Sequence, residues 1–437
     1  MHIVREYPAD YLTPVTAYAA VARKGSCLLE TAAGTDKPGR RSYIGIEPLA
    51  TFTVHGDSLD LQIEGRTETF DGDPYAVLSA LEKRFQVPAA GFISYDAVRH
   101  KENIPARHPD AFGLPDFLFQ FYRSSILFDH EAQTVAISAG SEEEIERIAA
   151  LLHSEARLAP LAVSNRPLDA FPDLSDEAFA RIVEKAKEFL IKGDVFQIVP
   201  SRTFKAEVSA EPFQIYRALR QTSPAPYLFF FEFEGYAIAG ASPEKLISVE
   251  NGQVESTPIA GTCKAGGSIE KLLSDPKEMA EHVMLVDLAR NDLGAVCLPG
   301  SIKVASYKEP IRFSHVTHIV SRIVGRLDPK LTALDAFKAS FPAGTLTGAP
   351  KVRAMELIDE LEMSRRGLYG GAIVRLDGKG NLQSCIAIRM AFIKDGAAYV
   401  RAGAGIVLDS DPMKEAEETR LKASTVLDAL ELAGGRR

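Results

Sequence analysis

Apolar and polar positions alternate along much of the first 140 residues. SCLLET, SYIGI, ATFTVHG, SLDLQIEG and QTVAIS each read as a short strand between turn residues. Two stretches, near 74–85 and 141–157, return apolar residues at helical spacing instead. This pattern predicts an antiparallel sheet with few helices. Residues 158–174 (LAPLAVSNRPLDAFPDL) are rich in Pro and carry no period, which marks a linker. Beyond it the period changes. Phe179, Ile182, Val183, Ala186, Phe189 and Leu190 form one helical stripe, with Ser175 placed to cap it and Gly193 to end it. VFQIVPSR, PYLFFFEF, YAIAGAS and the pair KLISVE/QVESTPIAG predict strands. Asn251-Gly252 between the last two is a strong hairpin signal, and Asp377-Gly378 marks another turn. Helices are predicted over 276–292, 332–340, 350–362 and 412–433. Long antiparallel strands mixed with amphipathic helices predict an α+β layered arrangement, not a doubly wound sheet.

Length and charge narrow the function classes. A chain of 437 residues suggests two to four domains at roughly 100–200 residues each, or one large unit. The formal net charge is −9, with no basic block, which argues against nucleic acid or an anionic membrane as the main partner. The apolar run from Tyr227 to Phe231 is broken by Glu232, and none approaches the roughly 20 residues that cross a bilayer. MHIVREYPADYLTP lacks the pattern of a signal peptide, so a cytoplasmic protein is expected. The four cysteines, Cys27, Cys263, Cys297 and Cys385, form no CxxC pair. They fit a reducing compartment. Tryptophan is absent.

Four constellations carry candidate chemistry. Glu278 and Glu281, and again Glu415 and Glu418, stand three apart in segments that begin Asp-Pro. Asp-Pro opens a helix, and residues three apart share a helix face. Two such helices across a cleft would offer four carboxylates to a hard cation such as Mg2+; solvated helix N-termini are the plainer reading. FPAGTLTGAPK (341–351) is a glycine-rich loop before a helix but departs from the GxxxxGK[ST] spacing of a P-loop. Its N–H and hydroxyl groups suit an anion; a simple turn is the alternative. Asp287, Arg290, Asn291 and Asp292 could form an ion-pair network, and His318 in HVTHIVSRIVG could move a proton. Arg389, alternating with apolar residues on an expected strand, needs an anionic partner: a substrate carboxylate or a buried acid. Gly403 and Gly405 allow close approach of a ligand. No G-x-S-x-G elbow, dinucleotide fingerprint or HExxH motif occurs.

These segments together resemble the chorismate-utilising enzymes, most closely the anthranilate synthase component I group. The resemblance runs through 175–433 in SPEKLI, STPIAGT, KEMAEHVMLVDLARNDLG, FPAGTLTGAPKVRAMELIDELE, RRGLYGGAIV, CIAIRM and GAGIVLDSDPMKEAEETRLKA. It is weaker in residues 1–157, through SCLLET and RRSYIGIEP. It implies an intertwined α/β sandwich with two antiparallel sheets. Residues 1–157 would then hold a tryptophan regulatory site, 158–174 a linker, and 175–433 the chorismate-binding catalytic domain. The implied reaction converts chorismate and ammonia to anthranilate and pyruvate with Mg2+.

By this resemblance Glu281 and Glu418 ligate the metal, with Glu278 and Glu415 behind them through water. Glu244 is the general acid that protonates the departing C4 hydroxyl. His318 serves the later loss of pyruvate. Arg389, Tyr369 and Lys422 hold the side-chain carboxylate, and Thr262, Thr345, Gly403 and Gly405 complete the pocket. Where isochorismate synthases carry a water-activating lysine, this chain has Gln197, and where aminodeoxychorismate synthases carry a nucleophilic lysine, it has Ala260. Both changes favour direct attack by ammonia. Aminodeoxychorismate synthase component I and 2-amino-2-deoxyisochorismate synthase remain the alternatives. None of the four Cys lies in a glutaminase elbow, so a separate glutamine amidotransferase subunit is expected to supply ammonia. Feedback by tryptophan would use Glu30 and Thr31, with Pro226 and Tyr227; Thr31 and Leu228 depart from the family's Ser and Met.

Overall fold

The computed structural model describes residues 3–31, 41–154, 158–161, 168–264, 268–312 and 316–434, with backbone alone at 260, 262–264, 277, 312 and 316. The predicted signals appear where the sequence puts them. Ser175 caps helix Asp176–Lys192, and Gly193 ends it at φ 79°. Asn251 and Gly252, at φ 50° and 74°, join Lys245–Glu250 to Gln253–Ser256 as a two-residue hairpin turn. Asp275 and Asp411 each accept from the first turn of the helix that follows.

Among the described residues the strands pair antiparallel throughout: 21 form one large hydrogen-bonded network, and Gln197–Ile198 pairs separately with Gly348–Ala349. Two long strands, Arg41–His55 and Phe117–Asp129, run side by side through its middle, with irregular register around Glu47, Pro48 and Ala50. That irregularity divides the network into two arms. Beyond it, the C-terminal half of Arg41–His55 pairs with Ser58–Ile63. The adjoining half of Phe117–Asp129 leads through Ala89–Ile93, Ala372–Leu376, Leu382–Ile386 and Lys245–Glu250 to Val316–Arg326. Before it, Arg41–His55 pairs with Cys27–Thr31, then Tyr227–Phe233, Tyr236–Ser242, Met390–Lys394, Ala397–Gly403 and Ser201–Glu207. The expected pair of sheets is thus joined into one network, because the two central strands are long enough to serve both.

One buried cluster takes side chains from both arms: Phe92, Ile373 and Cys385 from the first, Cys27, Phe229, Phe231, Ile238 and Phe392 from the second. Helices cover the outer faces. Val286 and Leu293 of helix Pro276–Gly294 join the cluster of Leu246 and Ile323. Leu219 of helix Pro212–Thr222 and Val426 of helix Pro412–Leu432 join that of Phe230 and Val400.

Several findings go beyond the sequence pattern. Helices Pro14–Val21 and Pro212–Thr222 stand where none was predicted. Ala170–Pro172, inside the stretch read as a linker, pairs with Phe204–Ala206. Among the described residues no helix is long and apolar enough to cross a membrane.

Candidate active site

The chain passes from one arm to the other at two adjacent crossings, and each carries a candidate residue. Glu244 lies between Tyr236–Ser242 and Lys245–Glu250; Arg389 lies between Leu382–Ile386 and Met390–Lys394. The crossings are hydrogen bonded to one another, Ile386 N donating to Glu244 O at 3.0 Å and Ala241 N to Arg389 O at 3.0 Å. Arg389 is therefore not on a strand, which corrects the alternation-based expectation. Its φ is 51°, a left-handed conformation that costs a non-glycine residue about 1–2 kcal/mol. Its Nη1 donates to Lys422 O at 2.6 Å and Thr425 Oγ1 at 3.2 Å.

Glu244 is the most perturbed acid of the site. Burial pushes its carboxyl up to about 7, opposed by a hydrogen bond from Thr345 and by the charge of Lys422. Thr345 Oγ1 donates to Glu244 Oε1 at 2.8 Å, from the one-turn helix Gly344–Thr347 that the FPAGTLTGAPK segment forms. A carboxyl in that range carries a proton in a large share of molecules near neutral pH and can give it up.

His318 stands on Val316–Arg326, its Cα opposite Thr262, whose side chain lies outside the described residues. Its Nδ1 contacts the Gly261 carbonyl at 3.1 Å. Only a protonated Nδ1 can donate to a carbonyl, so Nε2 is the basic nitrogen. Burial, helped by Arg389 and opposed by the Gly261 bond, holds the imidazole below its ordinary pKa and so neutral. Gly261 is at φ +68°, and a Cβ there would meet Glu278 Oε2 at 3.1 Å, which places Glu278 against this strand.

A chain of contacts links the two carboxylate-bearing helices. Gln197 Nε2 donates to Glu281 Oε1 at 3.3 Å, and a Cβ on Gly405 would lie 2.9 Å from that same nitrogen. A Cβ on Gly403 would lie 2.9 Å from Tyr369 Oη, and Gly403 O accepts from Lys422 Nζ at 3.0 Å. Lys422 is also paired with Glu418 at 2.6 Å. Glu415, one turn before Glu418, lies in the first turn of helix Pro412–Leu432. Burial pushes the Tyr369 hydroxyl up to about 12 against the pull of Arg366, so it stays a neutral donor. Electrostatic contacts run through this group of side chains: Lys422 acts on Glu244, and Arg389 acts on both His318 and Tyr369.

Hard carboxylate oxygens on both helices suit Mg2+. Among the described residues no three His, Cys, Asp or Glu side chains are grouped closely enough to hold an ion. Glu281 accepts from the Gln197 amide and Glu418 pairs with Lys422. Gln197 Oε1 is buried and has no hydrogen-bond partner, a neutral oxygen left over beside Glu281. The donors fit a hard cation on these grounds.

The candidate inhibitor residues lie elsewhere, on the arm-to-arm interface. Thr31 and Tyr227 line a cavity with Arg41, Tyr43 and Arg375, and Pro226 lines it as well. Glu30 is buried and lines the cavity beside Thr31 and Tyr227, its carboxylate accepting from Tyr216 Oη, Arg220 Nε at 2.8 Å and Arg220 Nη2 at 3.2 Å.

Residues 27–428 match the family model of the chorismate binding enzymes. Anthranilate synthase component 1 of Acetivibrio thermocellus is 40% identical over 99% of this chain and 95% of its own length. That of Pseudomonas aeruginosa is 39% identical over 97% and 94%. The crystal structure of anthranilate synthase component I from Streptococcus pneumoniae superposes with a TM-score of 0.82 at 38% identity, covering 96% of this chain and 99% of that one. The menaquinone-specific isochorismate synthase of Escherichia coli, at 18% identity and a TM-score of 0.77, shares the fold. The motifs that meet at the two crossings lie inside the matched span, and the chain belongs to the chorismate binding enzyme family.

Proposed function

We propose that the chain is the large subunit of an anthranilate synthase. Chorismate and ammonia give anthranilate, pyruvate and water. The observation that carries this reading is Glu244: a buried carboxyl pushed up to about 7, hydrogen bonded by Thr345 and acted on by the charge of Lys422. Arg389 and Lys422 supply the positive charge that a dicarboxylate substrate requires, and Tyr369 donates to its side-chain carboxylate. Thr262, Thr345 and the backbone at Gly403 and Gly405 complete the pocket. Glu244 gives its proton to the C4 hydroxyl, which leaves as water while ammonia bonds to C2. His318, neutral with Nε2 basic, takes up the C2 proton as the C3–O bond breaks and the ring becomes aromatic; the enolpyruvate released takes a proton on its methylene carbon to become pyruvate. Glu281 and Glu418 would hold Mg2+, with Glu278 and Glu415 behind them. When bound, the ion supplies a positive charge that anchors a substrate carboxylate. Neither Gln197 nor Ala260 offers a base or an amine, which supports ammonia as the nucleophile.

The two arms are read as the layers of one sandwich, with residues 1–157 as the regulatory portion and the enzyme cytoplasmic. Ammonia reaches it from a separate glutamine amidotransferase subunit. Tryptophan is the expected feedback inhibitor. Its ammonium must compete with Arg220 for Glu30, so weak inhibition is expected.

The test is direct. The chain is mixed with chorismate, Mg2+ and ammonium chloride at pH 8, and anthranilate fluorescence is followed. The chain contains no Trp, so indole fluorescence in a parallel titration belongs to added tryptophan alone. A non-aromatic amino product would favour the aminodeoxychorismate or aminodeoxyisochorismate reading. Chorismate binding without turnover would reduce the chain to a binding protein, and unchanged activity at millimolar tryptophan would defeat the regulatory assignment.

A further inference from the structure

Arg366 lies outside the groups assigned above, yet it bonds to two neighbouring segments that each carry a residue of the site. Its side chain is 1% exposed and that of its ion-pair partner Glu362 is 2% exposed. Nη1 donates to the Leu346 carbonyl at 2.6 Å. Nη2 donates to the Val199 carbonyl at 2.5 Å and to Glu362 Oε1 at 2.7 Å. Leu346 follows Thr345, whose hydroxyl donates to Glu244. Val199 is two residues from Gln197, whose amide donates to Glu281. The guanidinium lies over the rings of Tyr95 at 4.6 Å and Tyr369 at 5.6 Å. Glu362 also accepts from Ser201 N at 2.8 Å and Arg401 Nη2 at 2.7 Å, which fixes the carboxylate on which Arg366 rests.

We infer that Arg366 is a positioning residue, its two outer nitrogens spanning the Thr345 loop and the Gln197 strand and so holding proton donor and metal-side carboxylate in register. A structural ion pair would need only Glu362. Here the other contacts go to two carbonyls, one beside each polar group that touches Glu244 or Glu281. The two segments also pair through the backbone, Val199 N donating to Thr347 O at 3.0 Å, and the planar fork with nitrogens at fixed separation adds a side-chain link on the Leu346 side that an ammonium, a single point on a flexible stem, would not reproduce. The inference rests on the reading of Glu244 as proton donor.

Arg366→Lys keeps the charge and loses the fork. The expected result is a fall in kcat of at least tenfold, with the chorismate KM changing less than threefold. The alkaline limb of the kcat profile, where Glu244 loses its proton, moves to higher pH, because a displaced Thr345 no longer favours the carboxylate. Thr345→Val moves the limb the same way, and the double variant moves it no further. The charged groups around Glu244 are otherwise unchanged: Lys422 acts on it, and Lys245 and Asp292 line the same cleft. Should Arg366→Lys fail to fold, Tyr95→Leu removes the ring beneath the guanidinium and leaves its polar contacts. It should give a smaller loss and the same direction of shift. An alkaline limb that stays in place in the folded variants, with only Tm lowered, overturns the inference. Glu244→Gln separates the two claims. If its profile keeps the alkaline limb, the proton-donor reading fails; if the limb vanishes there yet Arg366→Lys leaves it unmoved, only the positioning role fails.

Discussion

At the scale of single residues, Glu244 shows how placement sets chemistry. A glutamate in SPEKLI carries no mark of its raised pKa in the sequence; the burial behind it comes from the crossing of two arms. Two outcomes follow for Glu244→Gln. Activity should fall at least 100-fold, the loss of a general acid. Stability should respond in the opposite sense. The folded carboxyl titrates at about 7 against an ordinary 4.5, so between those values the folded chain binds more protons than the unfolded one. Wild-type stability therefore falls as pH rises through that window, and the fall is complete above about 7. The Tm of Glu244→Gln relative to wild type should accordingly be higher at pH 8 than at pH 5, as measured by circular dichroism. Glu281→Gln should weaken Mg2+ binding at least tenfold by calorimetry, with chorismate absent, because it removes a charged oxygen from the donor set. The pairs Glu278/Glu281 and Glu415/Glu418 were legible in the sequence as spacing. Arg366 was not, since an arginine before a glycine is equally at home on a surface.

At the scale of elements, local signals held well. Ser175, Gly193, the Asn251-Gly252 turn and the Asp-Pro helix starts act where they were read, because each depends on a few neighbouring residues. Asp411 accepts from Met413 N at 3.1 Å and Lys414 N at 3.0 Å, starting the helix that carries Glu415, Glu418 and Lys422. Asp411→Ala should cost about 1 kcal/mol in denaturant unfolding and raise the Mg2+ needed for half-maximal activity. Reading failed where alternation continued through a change of direction. The apolar alternation of CIAIRM extends across Arg389, although the strand ends at Ile386 and the next begins at Met390. The pattern of burial persists at such a crossing, while the backbone does not.

At the scale of the whole molecule, the two halves of the chain are not separable. Cys27–Thr31 pairs with Tyr227–Phe233, and Ala89–Ile93 pairs with Ala372–Leu376. Residues 175–437 expressed alone should lack these partners and expose strand edges, giving aggregation or no cooperative transition. The full chain should unfold in a single transition, with near- and far-ultraviolet circular dichroism coinciding. Two separate transitions, or a soluble and active 175–437 fragment, would contradict this. The sequence by itself determined most of the element types, the caps, the paired carboxylates and the family, because these are written in short spacings and contiguous motifs. The tertiary structure alone decided that residues as distant as Glu244, Thr345 and Lys422 act on one another, that burial raises the Glu244 pKa, and that Arg366 bonds to both Leu346 and Val199. Those properties arise from burial and from contacts between segments far apart in the chain, and no local pattern encodes them.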